Sequence, residues 1–267
     1  WNLHTGELKQ VEHPLSNQMQ TLDFHRGYIG CSHLLASGRT LFGNKAGIGY
    51  FNLDSRAGFK SFGNMSLACG IAATPAGGVF VAAEGRSGCT CATGIFTSIV
   101  LYPRDRERAW GMGTVGGMEE LGPFPVEQAF VNFGAPGYRE DQKKRLWLPY
   151  PLEGGTGLIG EWLPKYQHQN DMFYSHSPDL LKVSGTDRPW LFTSGYRHTK
   201  ELQFRLIDHG EPAAKFNVKL YFAEPDVLSD GERVFDVLWQ GPTVLTDFDI
   251  VREAGGTLVA VVRAFAS

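Results

Sequence analysis

A chain of 267 residues, 42% of them hydrophobic and 12% aromatic, is sufficient for about two globular cores, which excludes a disordered chain. The net charge of −3 provides no basic surface of the kind that binds nucleic acid or an anionic membrane. No apolar run reaches the roughly 18 residues that a membrane span requires. The 33 glycines and 14 prolines are typical of many short strands joined by turns.

The amino terminus, WNLHTG, lacks Met and lacks the charged and then apolar regions that mark a signal peptide. We therefore expect the sequence to be a mature or excised portion of a longer protein.

The four cysteines all lie in the first third of the chain: Cys31, Cys69, Cys89 and Cys91. An even count favours two disulfides formed in an oxidising compartment, and hence an extracytoplasmic location (secreted, periplasmic or cell surface). Free thiols are the alternative. A metal site is a more distant one, because the spacing is not the C-x-x-C of zinc sites. Three disulfide connectivities are possible, and the sequence does not select among them.

Residues 1–115 contain a faint internal repeat. Cys31 precedes Phe42 by eleven residues, and Cys69 precedes Phe80 by eleven. The offset of 38 residues is close to the ~40 per blade that is typical of β-propellers. The repeat therefore predicts propeller-type blades in this part of the chain.

The first residues carry a family resemblance. Trp1-Asn2-Leu3 with Thr5-Gly6-Glu7 resembles the strand, Thr-Gly turn and strand of quinoprotein-like (PQQ-type) propeller blades. About two blades do not close a ring of four to eight. Either the other blades lie upstream in the same protein or in a partner chain, or this region packs differently. Because a quinone would lie at the centre of a complete ring, no cofactor is expected here.

Residues 103–125 are first charged and then rich in Gly and Pro, which predicts a linker. This places the propeller-type blades at 1–115, stapled by their disulfides, and a second domain at 124–267.

The second domain contains three alternating apolar and polar runs, Phe216–Ala223, Arg233–Trp239 and Val244–Ile250, which predict half-buried strands. Gln240-Gly241 favours a tight reversal between the last two runs. We expect the three strands to form one antiparallel sheet. Further strands are predicted at Phe130–Phe133, Leu146–Leu148, Trp190–Thr193, Leu202–Leu206 and Leu258–Phe265.

These residues resemble the hallmark of malectin and malectin-like domains: LYFAE at 220–224, GERVFDV at 231–237, VL at 244–245 and FDI at 248–250. The resemblance implies a jelly-roll β-sandwich that binds carbohydrate. Residues 129–137 and 145–151 are similar to the opening of malectin-like domains that follow propellers in large bacterial surface proteins, especially planctomycete ones.

Malectin-like domains bind sugars on loops at one end of the sandwich, where an aromatic plate lies beside directional polar groups. The loop at 166–176 and the turn at 196–198 are richest in such residues. The candidates for carbohydrate binding are Tyr166, His168, Asn170, Asp171, Phe173, Tyr174, Tyr196 and Arg197. The alternative is that Phe173 and Tyr174 pack at the edge of the core, while the polar residues are the solvent-exposed part of a long loop.

Other polar residues favour structural roles. Asp236, Asp247 and Asp249 could serve acid–base chemistry, but the resemblance implies that such acids bond to backbone at turns. Glu224 and Arg233 are expected to form a structural ion pair.

The sequence offers little sign of a catalytic or metal centre. His168 and His176 could bind a metal with Asp171, although solvated histidines are favoured. No HExxH, GxSxG or P-loop motif occurs.

The sequence thus predicts an all-β chain with partial β-propeller blades followed by a malectin-like jelly-roll β-sandwich. The favoured function is a non-catalytic carbohydrate-binding or surface-attachment module of a larger secreted protein, with a glycan and propeller blades as partners. The alternatives are an accessory part of a propeller-based enzyme, with redox or glycan-processing activity, and a purely structural interaction domain.

Overall fold

The computed structural model describes residues 2, 4–21, 33–44, 48–55, 58–62, 73–83, 98–103, 110–112, 126–150, 172–198, 201–202, 206–207 and 210–266. Over these ranges the protein is all-β, with short antiparallel strands, one 3₁₀ helix and one short α-helix. No helix within them is long and apolar enough to cross a membrane.

The chain divides into two compact units. The first contains Trp1–Val131 and Pro136–Gly160, and the second contains Asn132–Ala135 and Glu161–Ser267. The linker predicted at 103–125 falls largely outside the described residues, so the boundary predicted there stays a prediction.

Three small sheets and one strand pair are described before residue 151. β1 (Gln10–Glu12) pairs with β2 (Met19–Thr21). A five-stranded sheet has the order β10-β6-β5-β4-β3, from β3 (Leu35–Ser37), β4 (Thr40–Asn44), β5 (Ile48–Asn52), β6 (Phe59–Ser61) and β10 (Gly111–Met112). A three-stranded sheet contains β7 (Ala73–Ala76), β8 (Val79–Ala82) and β9 (Ile99–Leu101). Another has the order β11-β13-β12, from β11 (Phe130–Phe133), β12 (Arg139–Glu140) and β13 (Leu146–Tyr150).

The repeated Phe residues lie at the contact between two of these sheets. β3 begins at Leu35 and β7 at Ala73, which is the spacing of the repeat. The ring of Phe42 stacks on that of Phe80, with centroids 4.5 Å apart and planes at 20°. Phe80 is buried with Ala73 and Ala82. The two hairpins therefore share one apolar core.

A buried carboxylate closes the hairpin between β12 and β13. Asp141 accepts hydrogen bonds from the backbone N–H of Lys143 and Arg145, from Arg145 Nε at 2.7 Å and from Trp147 Nε1 at 3.3 Å. Burial acts to raise the pKa of Asp141, but these hydrogen bonds together hold it below its usual value.

Three strand pairs lie among the described residues of the second unit. β14 (Met172–Ser175) pairs with β15 (Ser194–Arg197), β16 (Asn217–Phe222) with β19 (Val261–Ala266), and β17 (Val234–Leu238) with β18 (Thr243–Asp249). Phe222 packs against Phe235 and Phe248, with ring centroids 6.2 and 5.0 Å apart. The β16–β19 and β17–β18 pairs thus pack through one aromatic core, which is consistent with a malectin β-sandwich.

The expected single sheet of three consecutive strands is wrong. β16 pairs with β19, and β17 pairs only with β18 among the described strands. The physical reason lies in residues 223–233, which are too long for a tight turn and carry the chain away from β16. The reversal predicted at Gln240-Gly241 is confirmed, because both residues have positive φ angles (53° and 107°) between β17 and β18.

Two local predictions also fail. Trp190–Thr193 is not a strand, since Pro189–Phe192 forms a 3₁₀ helix that buries Trp190, Leu191 and Phe192. A short apolar run does not distinguish a strand from a buried helical turn. Ile250 does not end a strand but begins α1 (Ile250–Ala254), which ends at Gly255 with φ of 76°.

Candidate functional site

The β14–β15 ribbon brings together the four predicted binding residues that the structure describes. Phe173 lies opposite Tyr196, Tyr174 opposite Gly195, and Met172 opposite Arg197. Directly paired residues share a face of an antiparallel pair, and successive residues alternate between faces. Phe173 and Tyr196 therefore lie on one face of the ribbon, and Tyr174 and Arg197 lie on the other.

The first face is an aromatic stack. The rings of Phe173 and Tyr196 are nearly parallel, with centroids 4.4 Å apart and planes at 14°. Phe133 lies beside them, at 6.4 Å from Phe173 and 6.2 Å from Tyr196. We call these three residues the aromatic face. All three are half-buried, so part of each ring is exposed.

The segment that supplies Phe133 contacts the ribbon at other points. Asn132 Oδ1 accepts a hydrogen bond of 3.0 Å from the Ser194 hydroxyl, and both residues are buried. Gly134 has φ of 70° and its backbone lies against the carbonyl groups of Tyr174 and Gly195. Phe133 was predicted only as a strand residue, because its place beside the ribbon depends on a contact distant in sequence.

The other face is polar. The Arg197 guanidinium lies 4.5 Å from the centroid of the Tyr174 ring, which is a cation–π contact. The Tyr174 ring covers Gly195, where a Cβ would lie 2.6 Å from the phenolic oxygen. Burial raises the pKa of the Tyr174 hydroxyl to about 12, so this group is neutral at physiological pH.

A network of charges continues from Arg197. Its Nη1 lies 3.1 Å from Asp226 Oδ2, and Arg233 Nη2 donates to the same oxygen at 3.1 Å. Arg233 Nη1 donates to both oxygens of Glu224, at 2.7 and 2.6 Å. The ion pair predicted between Glu224 and Arg233 is thus present. We call Tyr174, Arg197, Glu224, Asp226 and Arg233 the polar cluster.

The formal charges of the polar cluster cancel, since two arginines face two carboxylates. The Glu224 side chain is 1% exposed and that of Asp226 is 35% exposed. Burial opposes the charge of Arg233, but hydrogen bonds to Asp226 and Glu224 raise its pKa. Asp226 is the residue that sequence reasoning missed. Its only signal was its position two residues after the LYFAE hallmark.

The remaining predicted residues lie outside the described ranges. They are Tyr166, His168, Asn170 and Asp171, together with Cys31, Cys69, Cys89 and Cys91. Their roles stay predictions. Among the residues that are described, no group of three or more His, Cys, Asp or Glu side chains could hold a metal.

The acids of the hallmark strands serve the backbone, as the resemblance implied. Asp249 accepts hydrogen bonds from the N–H groups of Gly231, Val251 and Arg252, so it caps α1 and ties the preceding loop to it. The bond from Gly231 contributes most to lowering the pKa of Asp249. Asp236 Oδ1 accepts from the N–H of Asp247 at 2.8 Å.

The part of the chain that contains this ribbon resembles a known family. Residues 161–266 match the family model of the malectin domain. A stretch of 54 residues is 43% identical to the receptor-like protein 4 of Arabidopsis thaliana. That stretch covers 20% of this chain and 9% of the plant protein. No solved structure matches. The malectin match therefore covers most of the second unit.

Proposed function

We propose that the second unit is a non-catalytic carbohydrate-binding module, and that the β14–β15 ribbon contacts the glycan. The observation that carries this proposal is the stack of Phe173 and Tyr196 on the same two strands that present Arg197, which pairs with Asp226. The malectin match supports the class of ligand.

The two faces provide the two kinds of contact that sugars need. A pyranose ring has apolar C–H faces that stack on aromatic side chains, and its hydroxyl groups need directional donors and acceptors. Tyr196 and Phe173 supply the aromatic surface on one face of the ribbon. Arg197 and Asp226 supply a donor and an acceptor, each partly exposed. Tyr166, His168, Asn170 and Asp171 are proposed to contribute from the preceding loop.

A binding role is favoured over a catalytic one because the acids of the hallmark already make structural contacts. Glu224 is buried against Arg233, and Asp249 accepts three backbone N–H groups. A glycosidase requires one carboxyl group poised to donate a proton and another free to act as base or nucleophile. Neither Glu224 nor Asp249 is placed for such a role.

Residues 1–115 are proposed to form propeller-type blades, in a larger extracytoplasmic protein that the malectin-like domain attaches to a surface glycan. The repeated hairpins that pack through Phe42 and Phe80 support this part of the proposal. The disulfides proposed among the four cysteines would suit that compartment.

The test is a glycan array probed with the full chain, followed by affinity measurements on the best neutral and acidic oligosaccharides. Tyr196→Ala removes one ring of the stack, and we expect a loss of affinity on the order of tenfold. Tyr102→Ala is the matched control, since Tyr102 is 65% exposed and lies in the first unit. Absence of binding by the wild-type chain, or an equal loss in the control, would contradict the proposal.

A further inference from the structure

Arg233 lies outside the β14–β15 ribbon, but its side chain contacts Asp226, which pairs with Arg197 of the ribbon. One guanidinium nitrogen is fixed on Glu224 by two hydrogen bonds of 2.7 and 2.6 Å. Because the Glu224 side chain is 1% exposed, this end of Arg233 is held by a buried acceptor. Hydrogen bonds between ionised partners are the strong ones, and burial strengthens them further.

The other guanidinium nitrogen of Arg233 extends to the ribbon through Asp226. It donates at 3.1 Å to Asp226 Oδ2, and Arg197 Nη1 lies 3.1 Å from that same oxygen. Arg197 in turn lies over Tyr174. A continuous path of contacts thus runs from the buried Glu224 through Arg233 and Asp226 to Arg197.

This path matters because a long arginine side chain has many rotamers. Fixing such a side chain costs up to about 2 kcal/mol of conformational entropy. Asp226 and the Tyr174 ring hold Arg197 in one conformation before any ligand arrives. The free energy of ligand binding therefore does not include this entropy cost. Asp226 can hold Arg197 only if its carboxylate is itself held: Glu224 accepts the backbone N–H of Asp226 at 2.9 Å, and Arg233 holds the carboxylate.

We infer that Arg233 is a positioning residue for the proposed glycan site, acting through Asp226 to fix Arg197. The inference rests on the proposed function of the ribbon and adds a residue that does not contact the ligand. The planar guanidinium of Arg233 bridges two carboxylates at once. A lysine at this position would keep the charge beside Glu224 but would lack the second arm that reaches Asp226.

The test is a double-mutant cycle between Arg233→Lys and Arg197→Met, with affinity measured for the oligosaccharide that binds best on the array. Arg233→Lys keeps the buried Glu224 paired, so the fold is retained, and circular dichroism checks this. We expect the single variant to lose about fivefold in affinity. Because Arg233 acts through Arg197, the double variant should bind no more weakly than Arg197→Met alone. Unchanged affinity in Arg233→Lys would overturn the inference. So would a double variant whose loss of affinity equals the product of the losses in the two single variants.

Arg252→Lys is the matched control, because Arg252 also pairs with an aspartate, Asp230, at 2.8 Å but is half-exposed. It should bind glycan like the wild type. The NMR signal of the Arg197 Nε–Hε group provides a second measurement that needs no ligand. We expect this signal to broaden or shift in Arg233→Lys and to stay unchanged in Arg252→Lys.

The two measurements separate the inference from the proposed function. If the wild-type chain binds no glycan, the proposed function fails, and the NMR signal still decides whether Arg233 holds Arg197. If the wild type binds but Arg233→Lys changes neither affinity nor signal, only the inference fails.

Discussion

The ring of Tyr174 lies across Gly195, its direct partner on the neighbouring strand, at the centre of the ribbon. A methyl group at position 195 would come within 2.6 Å of the phenolic oxygen and 2.8 Å of two ring carbons. The glycine is therefore the reason that the tyrosine can lie flat against the strand and present its other side to Arg197.

Gly195→Ala should displace Tyr174 and remove the surface on which Arg197 rests. We expect a loss of about 1 to 3 kcal/mol in the free energy of unfolding, as for other overpacked sites, together with weaker glycan binding. Urea denaturation and the affinity assay measure the two effects. Gly43→Ala is the control, since a Cβ there would meet Leu34 at 3.7 Å, an ordinary contact. Equal behaviour of the two variants would refute the role given to Gly195.

Lys60, on β6, is 4% exposed, and burial lowers the pKa of its amine from 10.5 to about 8, although Glu140 acts to raise it. Below pH 8 the ammonium form must be kept out of water, which costs stability. This cost disappears as the pH rises towards the unfolded value of 10.5. Lys60→Met should therefore be more stable than the wild type at pH 7, by roughly 2 to 3 kcal/mol.

The measurement for Lys60 is denaturant unfolding of both proteins between pH 7 and 9.5. The upper limit lies below 10.0, the ordinary pKa at which Tyr138 ionises in the unfolded chain, because burial raises its pKa to about 12 only in the folded protein. The advantage of Lys60→Met should shrink steadily across this range. A constant difference between the two proteins would show that burial of the charge is not its cause.

Phe80 should dominate the contact between the two repeated hairpins. Truncation to Ala leaves a cavity beneath Phe42, and we expect a loss of about 3 to 5 kcal/mol in the free energy of unfolding. Val100→Ala, on the opposite face of the same sheet and 60% exposed, should change it by less than about 0.5 kcal/mol. A small effect of Phe80→Ala, measured by chemical denaturation, would argue against a shared core.

Asp249 should make the second unit sensitive to acid. Hydrogen bonds from Gly231, Arg252 and Val251 lower its pKa below the usual 3.8, so its ionised form stabilises the folded state above about that pH. The contribution is lost as the pH falls through the lower, folded value. Asp249→Asn should be less stable than the wild type at pH 7, and the difference should narrow between pH 4 and pH 2. Thermal melts at stepped pH test this, and parallel curves for the two proteins would be the contrary result.

The strands of the second unit were largely predictable because each carries a local pattern. Alternation located β16, β17 and β18 to within a residue or two, and Gln240-Gly241 marked their reversal. The partner of β16 was not predictable, since nothing local distinguishes pairing with β17 from pairing with β19. The 3₁₀ helix at Pro189–Phe192 was missed for a related reason, because its apolar run has no period to interpret.

The candidate site, too, was only partly predictable from the sequence. The malectin-like resemblance and residue chemistry selected Phe173, Tyr174, Tyr196 and Arg197 as residues of a loop and a turn, whereas the structure places them on two paired strands. The sequence did not separate them into two faces, because the register of the ribbon was unknown. Asp226 was overlooked because its significance comes from two arginines that are 29 residues before it and 7 residues after it in the sequence.

The path of the chain has a practical consequence for dissecting this protein. Asn132–Ala135 belongs to the second unit, although the residues on both sides of it belong to the first. A fragment that starts at residue 161, where the malectin match begins, would lack Phe133 and the Asn132 partner of Ser194. No single proteolytic cut yields both units intact. Binding studies on the isolated malectin segment would therefore examine a site that has lost one of its three aromatic rings.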